Sequence, residues 1–534
     1  MEITSSNTLH KKQSVYNENG AVKLKPEFDD LQKPETIKNH VQELTKKDTT
    51  PHSEILQKLI KELEPIDFKK LAFPQLEKLQ DRLNQIDSGS NEAKTIQKQI
   101  DDFKLNQKHL LILTIENILE NAENKRWGLC KNHDFIYLYN GTYWSDIDKE
   151  TFQKFLGEAG EKLGLGKFDA RYFLFREKLF KQFLATAYLP TPQVDKEKVL
   201  INLKNGTFEI SQKGMYLRDF NRSDFLTYQL PFNYDPKASA PTFQAYLDRV
   251  LPDKECQRVL AEYLGSIFIK HGSTALKEEK ALILYGTGAN GKSVLFEIMN
   301  ALLGKENISS YSLQSLTDEK GYQRARLANT LVNYGSEING KLEASIFKQL
   351  VSGEPVDARL PYGQPFILDQ YAKLIFNCNE LPKDVEHTNA YFRRFLIIPF
   401  EVTIPPQEQD KNLHTKIIEN ELSGVFNWVL EGLNRLLEQK QFSKCEAAQR
   451  AIEEYKMESN SVQMFLSENQ YKSNAENYTL IKDLYIEYKT FCIEDGMTPF
   501  KKTNFIKQLR YLKITTDRLN IGNVAYLTKN TGSL

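Results

Sequence analysis

The sequence predicts a multidomain α/β protein built around a P-loop nucleotide-binding core. Three observations carry that prediction: a length of 534 residues, a central region where helical patterns alternate with short apolar runs, and the stretch ALILYGTGANGKS over 281–293. Domains hold about 100–200 residues each, so a chain of this length contains several. Its 71 basic residues are balanced by 71 acidic ones, and 40% of the chain is hydrophobic. Net charge therefore argues neither for nor against nucleic acid, and any nucleic-acid surface is a local patch. The cysteines Cys130, Cys256, Cys378, Cys445 and Cys492 stand singly, without a CxxC pair. That spacing argues against a disulfide framework or a zinc knuckle and fits a reducing cytoplasm. No apolar run follows the basic residues of MEITSSNTLHKKQ, and the run over 109–119 is broken by Thr114, Glu116 and Asn117. Neither export nor a membrane span is expected.

Residues 1–50 are polar and hold few apolar anchors, which predicts disorder. Over 51–120, Ile55, Leu56, Leu59, Ile60 and Leu63, then Leu76, Leu79, Leu83 and Ile86, recur at helical spacing. This charged helical segment is expected to be a spacer or self-association arm. A different region opens near Phe135 and spans 121–240: FIYLYNGTYWSDI alternates around Asn140-Gly141, and LINLKNGTFEI around Asn205-Gly206, each a hairpin signal. The core is expected over 241–437, a helical linker over 438–470, and a small C-terminal unit over 471–534.

The P-loop is the most specific local signal. A short apolar strand leads into GxxxxGK[ST], read as Gly286, Gly291, Lys292 and Ser293, and then into the helical run VLFEIMNALLG. Glycines let backbone N–H groups approach phosphate oxygens, and the helix N-terminus adds a favourable dipole. The expected nucleotide contacts are Gly286, Thr287, Gly288, Ala289, Asn290, Gly291, Lys292 and Ser293. Lys292 is expected to reach the β- and γ-phosphates of ATP, and Ser293 to ligate Mg²⁺.

Downstream spacing adds three candidates. LVNYGSEI offers a buried strand ending at Ser336-Glu337, where Glu337 stands to polarise the attacking water. The strand in YAKLIFNCNELP ends at Asn379, an amide placed to hold that water or sense the γ-phosphate. In AYFRRFLIIPF, Arg393 and Arg394 precede a further strand and are candidates for an arginine finger aimed at a neighbouring subunit.

In this order, GTGANGKS, FKQLVSGEPVDARLPYGQPFILDQYAKLIFNCNELP and YFRRFLIIPF resemble the motifs of superfamily 3 helicases of the AAA+ class, of the phage, plasmid and poxvirus primase-helicase type. LYNGTYWSDI, LINLKNGTFEI and FNYDPKASAPTFQAYLDRVLPDKE are similar to the domain that precedes the helicase core in that family. The resemblance covers about Phe135 to the C-terminus. Many relatives carry an acidic pair where Ser336-Glu337 stands here, which leaves Glu337 to combine the base role with a Mg²⁺ contact. Relatives often begin with a primase domain. Here the first segment carries only Asp29-Asp30 in a polar context and no zinc cysteines, so primer synthesis is not expected.

The resemblance implies a β-hairpin between the B-prime helix and the sensor strand, reaching into a central DNA channel. Its tip falls at Pro361 to Gln364, with Arg359, Tyr362 and Lys373 as DNA-contacting candidates. At the C-terminus, LIKDLYIEYKTFCIEDG, a turn, FKKTNFIKQLRYLKI and ITTDRLNIGNVAYL give the helix, turn, basic helix, hairpin order of a winged helix. Lys501, Lys502, Asn504, Lys507 and Arg510 lie off the apolar face of its second helix. The expected protein is a cytoplasmic, ATP- and Mg²⁺-dependent DNA helicase of a mobile element. It would act as a homo-oligomeric ring, a hexamer, on single-stranded and forked DNA, with a separate primase as an open partner. An AAA+ replication initiator that melts DNA without processive unwinding, and an ATP-switched DNA-binding regulator, remain the alternatives.

Overall fold

The computed structural model describes residues 51–132, 135–188, 197–212, 214–277, 279–336, 338, 342–361, 363–382, 386, 388–497 and 499–529, with the backbone of 15–16 and 22–23. The latter are two short strands, β1 (Val15–Tyr16) and β2 (Val22–Lys23), paired antiparallel. The rest of the segment expected to be disordered lies outside the described residues.

Five helices open the described chain: α1 (His52–Glu62), α2 (Phe68–Ala72), α3 (Gln75–Asn84), α4 (Asn91–Asp102) and α5 (Gln107–Asn124). Asp67, Ser90 and Asn106 cap the N-termini of α2, α4 and α5 with side-chain oxygens, satisfying N–H groups that no helical carbonyl reaches. A three-stranded antiparallel sheet follows, β3 (Gly128–Asn132), β4 (Phe135–Tyr139) and β5 (Trp144–Ile147), then α6 (Lys149–Lys162), α7 (Lys167–Arg171) and α8 (Phe173–Thr186). The β4–β5 turn forms at Asn140-Gly141 as the sequence predicts: Asn140 Oδ1 accepts from the backbone N–H groups of Thr142 and Tyr143 at 2.9 and 3.0 Å, and Gly141 takes φ +98°.

The spacer expected over 51–120 is corrected by this packing. Ile55, Leu59 and Leu63 are fully buried with Ile115 and Ile118, against Phe152, Phe155, Phe175 and Phe183 of α6 and α8. The stripe has a phenylalanine-rich partner beyond residue 120, so apolar burial, about 1.5–3 kcal/mol per such side chain, outweighs the charge of the opposite face. Only α3 and α4 form a separate small pair, on Leu76, Ile96 and Ile100.

A second antiparallel sheet, β6 (Val199–Leu203), β7 (Gly206–Ser211) and β8 (Gly214–Arg218), precedes α9 (Pro241–Val250) and α10 (Lys254–Ser266). The central sheet is parallel and five-stranded: β9 (Ala281–Tyr285), β10 (Ile308–Ser309), β11 (Val332–Gly335), β14 (Lys373–Cys378) and β15 (Phe395–Pro399), in the order β10-β11-β14-β9-β15. The first strand in sequence thus lies between the last two. These strands read as near-continuous apolar runs because both faces are covered. Leu282, Leu284, Val332, Ile375 and Ile398 pack with α9, α10 and α11 (Lys292–Leu303). Ile283, Leu374, Phe376 and Ile397 face Phe347 and Tyr391 on the other side.

Between β10 and β11 run α12 (Leu313–Leu316) and α13 (Tyr322–Ala325); α14 (Ala344–Ser352) then leads to an antiparallel hairpin, β12 (Val356–Arg359) and β13 (Pro365–Leu368). After β14 come α15 (Asn389–Phe392), then β15, α16 (Leu413–Asn420), α17 (Leu422–Gln439) and α18 (Glu446–Ser459). The expected linker over 438–470 is also corrected. Tyr455 of α18 is buried against Phe392 and Phe395, so α18 belongs to the core, whereas α19 (Ser461–Glu468) packs with the C-terminal unit.

That unit holds β16 (Tyr471–Ser473), β17 (Thr479–Leu480), α20 (Ile481–Glu494), α21 (Lys502–Tyr511), β18 (Thr516–Leu519), β19 (Gly522–Ala525) and β20 (Leu527–Lys529). Val462, Phe465, Leu484, Tyr488, Phe505, Leu509 and Leu527 form its core. Among the described residues no helix is long and apolar enough to cross a membrane.

Candidate functional site

The glycine-rich loop occupies the C-terminal end of β9, where parallel α/β sheets open toward ligands. It is clamped by the strands on either side: Gly286 N–H donates to Cys378 O at 3.1 Å, and Phe400 N–H donates to Tyr285 O at 2.7 Å. Ile404 N–H reaches Ala289 O at 2.8 Å. Gly286 takes φ +154° and Gly291 φ +86°. A Cβ at Gly286 would meet the Phe400 carbonyl, and one at Gly291 would lie 2.7 Å from Val250 Cγ1, so both positions require glycine for space as well as for conformation. Tyr246 of α9 supports the loop from beneath, its hydroxyl donating to Gly291 O at 2.9 Å.

Lys292 opens α11 and is buried, with its ammonium folded over the loop. It donates to Gly286 O at 2.5 Å, Asn290 Oδ1 at 3.1 Å and Thr287 O at 3.3 Å. Burial holds its pKa below the usual lysine value. Asn290 is buried and bridges outward, donating from Nδ2 to Phe400 O at 3.1 Å and to Thr287 O. Thr287, Gly288, Ala289 and Ser293 are exposed along the loop and the first helical turn. The arrangement can present backbone N–H groups, one ammonium and one hydroxyl to a polyanion.

Three strand ends stand together here. Cys378 of β14 pairs with Tyr285 of β9, and Gly335 of β11 with Phe376 of β14, so exposed Asn379 and exposed Ser336 follow on the same edge as the loop. Glu337 lies outside the described residues.

The two arginines separate. β15 runs parallel to β9 with Phe395 opposite Ala281 and Pro399 opposite Tyr285, so both arginines sit at the end of the sheet away from the loop. At about 3.3 Å per residue, roughly 20 Å of strand separates them from Gly286, beyond the reach of a side chain in the same subunit. Arg394 is buried, which corrects its reading as a finger. Its guanidinium donates to Ala390 O at 2.5 Å, Ser352 Oγ at 2.8 Å and Lys348 O at 3.3 Å, and pairs with Glu279 at 3.3 Å. It holds the C-terminal turn of α14 and is spent within its own subunit. The Arg393 side chain is 59% exposed, with an ion pair to Glu279 at 3.4 Å.

The hairpin expected between the B-prime helix and the sensor strand is present as β12–β13, with its loop over 360–364. Arg359 is exposed there and donates to Gly363 O at 2.9 Å; Tyr362 lies outside the described residues. The position of Lys373 corrects its reading as a channel contact. It begins β14 and lines a partly enclosed cavity, 3.4 Å from His271 Nδ1, because the strand, not the hairpin, carries it. Missed by sequence reasoning was the seat of the hairpin: Phe366 packs edge-to-face on Phe135 at 6.1 Å, beside Leu360, against the β3–β5 sheet. The alternating FIYLY run carried the signal for that sheet, but nothing in it names the hairpin as partner.

At the C-terminus Lys501, Lys502, Asn504, Lys507 and Arg510 are all exposed along α21, with Arg510 Nε donating to Thr516 Oγ1 at 2.8 Å.

Two family models match successive parts of the chain: "D5 N terminal like" over residues 117–252, and a family of unknown function (DUF5906) over 284–394, from the end of β9 through Arg394. Among curated proteins, Putative helicase L207/L206 of Acanthamoeba polyphaga mimivirus is 26% identical over 245 residues, 42% of this chain and 24% of that protein. Putative helicase 121R of Invertebrate iridescent virus 3 is 23% identical over 359 residues, 59% of this chain and 38% of its own length. The chain therefore carries a D5 N terminal like region and is similar to viral proteins named as putative helicases. Putative helicase 184R of Invertebrate iridescent virus 6 is 24% identical over 378 residues, 60% of this chain and 37% of that one. The chain thus spans well under half the length of each of these curated relatives. Among solved structures, the apo structure of the NrS-1 C terminal region is similar at TM-score 0.44 and 12% identity, over 77% of this chain and 98% of that one.

Proposed function

We propose that this protein is an ATP-hydrolysing DNA motor, an AAA+ ring translocase that unwinds DNA during replication of a mobile element in the cytoplasm. The observation that carries the reading is the sheet order. With β9 between β14 and β15, the glycine-rich loop and Asn379 share one edge while exposed Arg393 stands at the other. One subunit then offers a phosphate cradle on one side and an exposed guanidinium for a neighbour on the other, as a closed ring requires.

The donor set fits a nucleotide. Lys292 donates to three loop acceptors that β- and γ-phosphate oxygens can replace, and the glycines leave the space a Cβ would fill. Ser293 is the candidate Mg²⁺ ligand, with Glu337 as base and second metal contact. Bound Mg²⁺ neutralises charge on the transferring phosphoryl group. Asn379 orients the attacking water, and Arg393 reaches the neighbour's γ-phosphate.

On the DNA side, the β12–β13 hairpin with Arg359 faces the channel of a hexameric ring, and Tyr362 is the candidate for stacking on bases. Residues 461–529 act as a winged helix whose basic α21 face binds duplex or fork DNA through phosphates. The test is turnover of the purified protein with ATP and Mg²⁺, with and without single-stranded DNA. Hydrolysis stimulated by DNA supports the motor; slow hydrolysis indifferent to DNA rejects it in favour of a switch.

A further inference from the structure

A cavity of about 170 Å³ lies where the β3–β5 sheet, the segment after α10, the β12–β13 hairpin and the start of β14 meet. Its walls include Tyr137, Phe225, Tyr228 and Phe366, and an engineered cavity of about 150 Å³ suffices to hold a benzene-sized molecule. Unlike such a dry void, this one is lined by Lys270 and Lys373 together with His271.

Among the described residues neither lysine has a carboxylate within 4.0 Å. Asp224, whose charge acts on Lys270, is paired with Arg218 at 2.9 Å, and Asp369 stands exposed at the rim. Among the described residues the polar partner of Lys373 Nζ is His271 Nδ1, whose ring meets the Tyr371 carbonyl through Nε2 at 3.0 Å. With Nε2–H donating to that carbonyl, Nδ1 keeps its lone pair for the lysine, and His271 is neutral. Burial lowers the Lys373 ammonium to about 8. Two ammonium groups in one partly enclosed space with no carboxylate at ion-pair distance are costly, because desolvation is not repaid by an ion pair.

We propose that this cavity is an oxyanion site that takes a phosphate group between Lys270 and Lys373, and that its occupancy fixes the β12–β13 hairpin against the β3–β5 sheet. Phosphate supplies a direct ion-pair partner, its oxygens accept from both ammoniums, and Phe366 ties the cavity wall to the hairpin. The group can belong to a small free phosphate compound or to a DNA backbone; the recognition chemistry is shared. The site is separate from the glycine-rich loop and does not depend on what that loop binds.

The experiment uses the full chain carrying Lys292→Ala, so that phosphate binding at the glycine-rich loop is weakened, and the two cavity lysines report what remains. Thermal unfolding is followed against inorganic phosphate, thymidine monophosphate and a single-stranded oligonucleotide, with chloride at matched ionic strength as control. Expected is a saturable rise in Tm of about 3 °C or more, with slowed amide exchange over 363–368. Adding Lys373→Met is expected to weaken the midpoint at least tenfold, and Lys270→Gln, which removes the other cation without touching β14, to weaken it in the same direction. Saturation by phosphate or the monophosphate assigns a small ligand, and saturation by the oligonucleotide alone assigns the DNA backbone; both uphold the oxyanion site. No saturable rise with any of the three, or a rise unchanged by both lysine substitutions, overturns it.

Discussion

Asn290 holds Lys292 in place: its Oδ1 accepts from Lys292 Nζ at 3.1 Å while its Nδ2 donates to Phe400 O at 3.1 Å, where β15 ends. One buried amide therefore ties the loop ammonium to the adjacent strand. Hydrogen bonds to charged groups and buried groups left unpaired each cost about 1–3 kcal/mol. Asn290→Ala is expected to weaken ATP binding by about 5- to 150-fold, at 1.4 kcal/mol per tenfold. Titration with a fluorescent ATP analogue checks this, and an affinity within twofold of the parent would show that the amide does not position the lysine.

The paired arginines should part in two different measurements. Arg394→Ala removes a buried guanidinium and leaves Ser352 without its donor, while Glu279 keeps Arg393, so Tm should drop by an amount corresponding to about 1–3 kcal/mol. Arg393→Ala should leave Tm unchanged and lower turnover by about 10³-fold, the size of an arginine-finger loss. Mixing Arg393→Ala with Lys292→Ala subunits should restore part of the ATPase, since some interfaces then hold an intact loop and an intact arginine. If mixed rings form and no ratio restores activity, Arg393 does not act across an interface.

Glu337→Gln keeps the shape of the side chain and removes the base. The variant is expected to bind ATP and accumulate as nucleotide-bound rings without product release. Normal turnover in phosphate-release assays moves the base to another acid, Glu343 or Glu354.

Ending the chain at Asn460 keeps α18 and its Tyr455 contact with Phe392 while removing the whole C-terminal core that begins at Val462. Basal ATPase should persist within about twofold, and duplex affinity should fall because phosphate contacts carry it. In the full chain, Lys502→Ala and Lys507→Ala each take away one cation from the phosphate backbone. Each should lower the slope of log affinity against log salt by about 0.9. An unchanged slope removes α21 from the DNA interface.

The central sheet was legible because its strands are buried on both faces, so ALILY, KLIFNC and FLIIP stand out as apolar runs between polar loops. The glycine-rich loop was legible because its residue types are dictated by space: at Gly286 a Cβ meets a carbonyl. Arg393 and Arg394 could not be told apart in sequence. They are identical neighbours, and only the packing of α14 decides that Arg394 turns inward to Ser352. Lys373 was misread for a related reason, since a charged residue beside a hairpin suggests solvent or DNA, whereas His271 and Tyr371 close round it within the fold. The helices over 51–120 resemble a free arm until the phenylalanines of α6 and α8 supply the second half of their core.

The most direct test is strand displacement on a forked duplex with ATP and Mg²⁺, comparing the parent chain with Lys292→Ala. The account predicts ATP-dependent displacement by the parent and a rate slower by about 10³-fold or more in the variant, with its fold retained by circular dichroism. Displacement at equal rates by both proteins, or none by a parent chain that hydrolyses ATP on the same DNA, would contradict it.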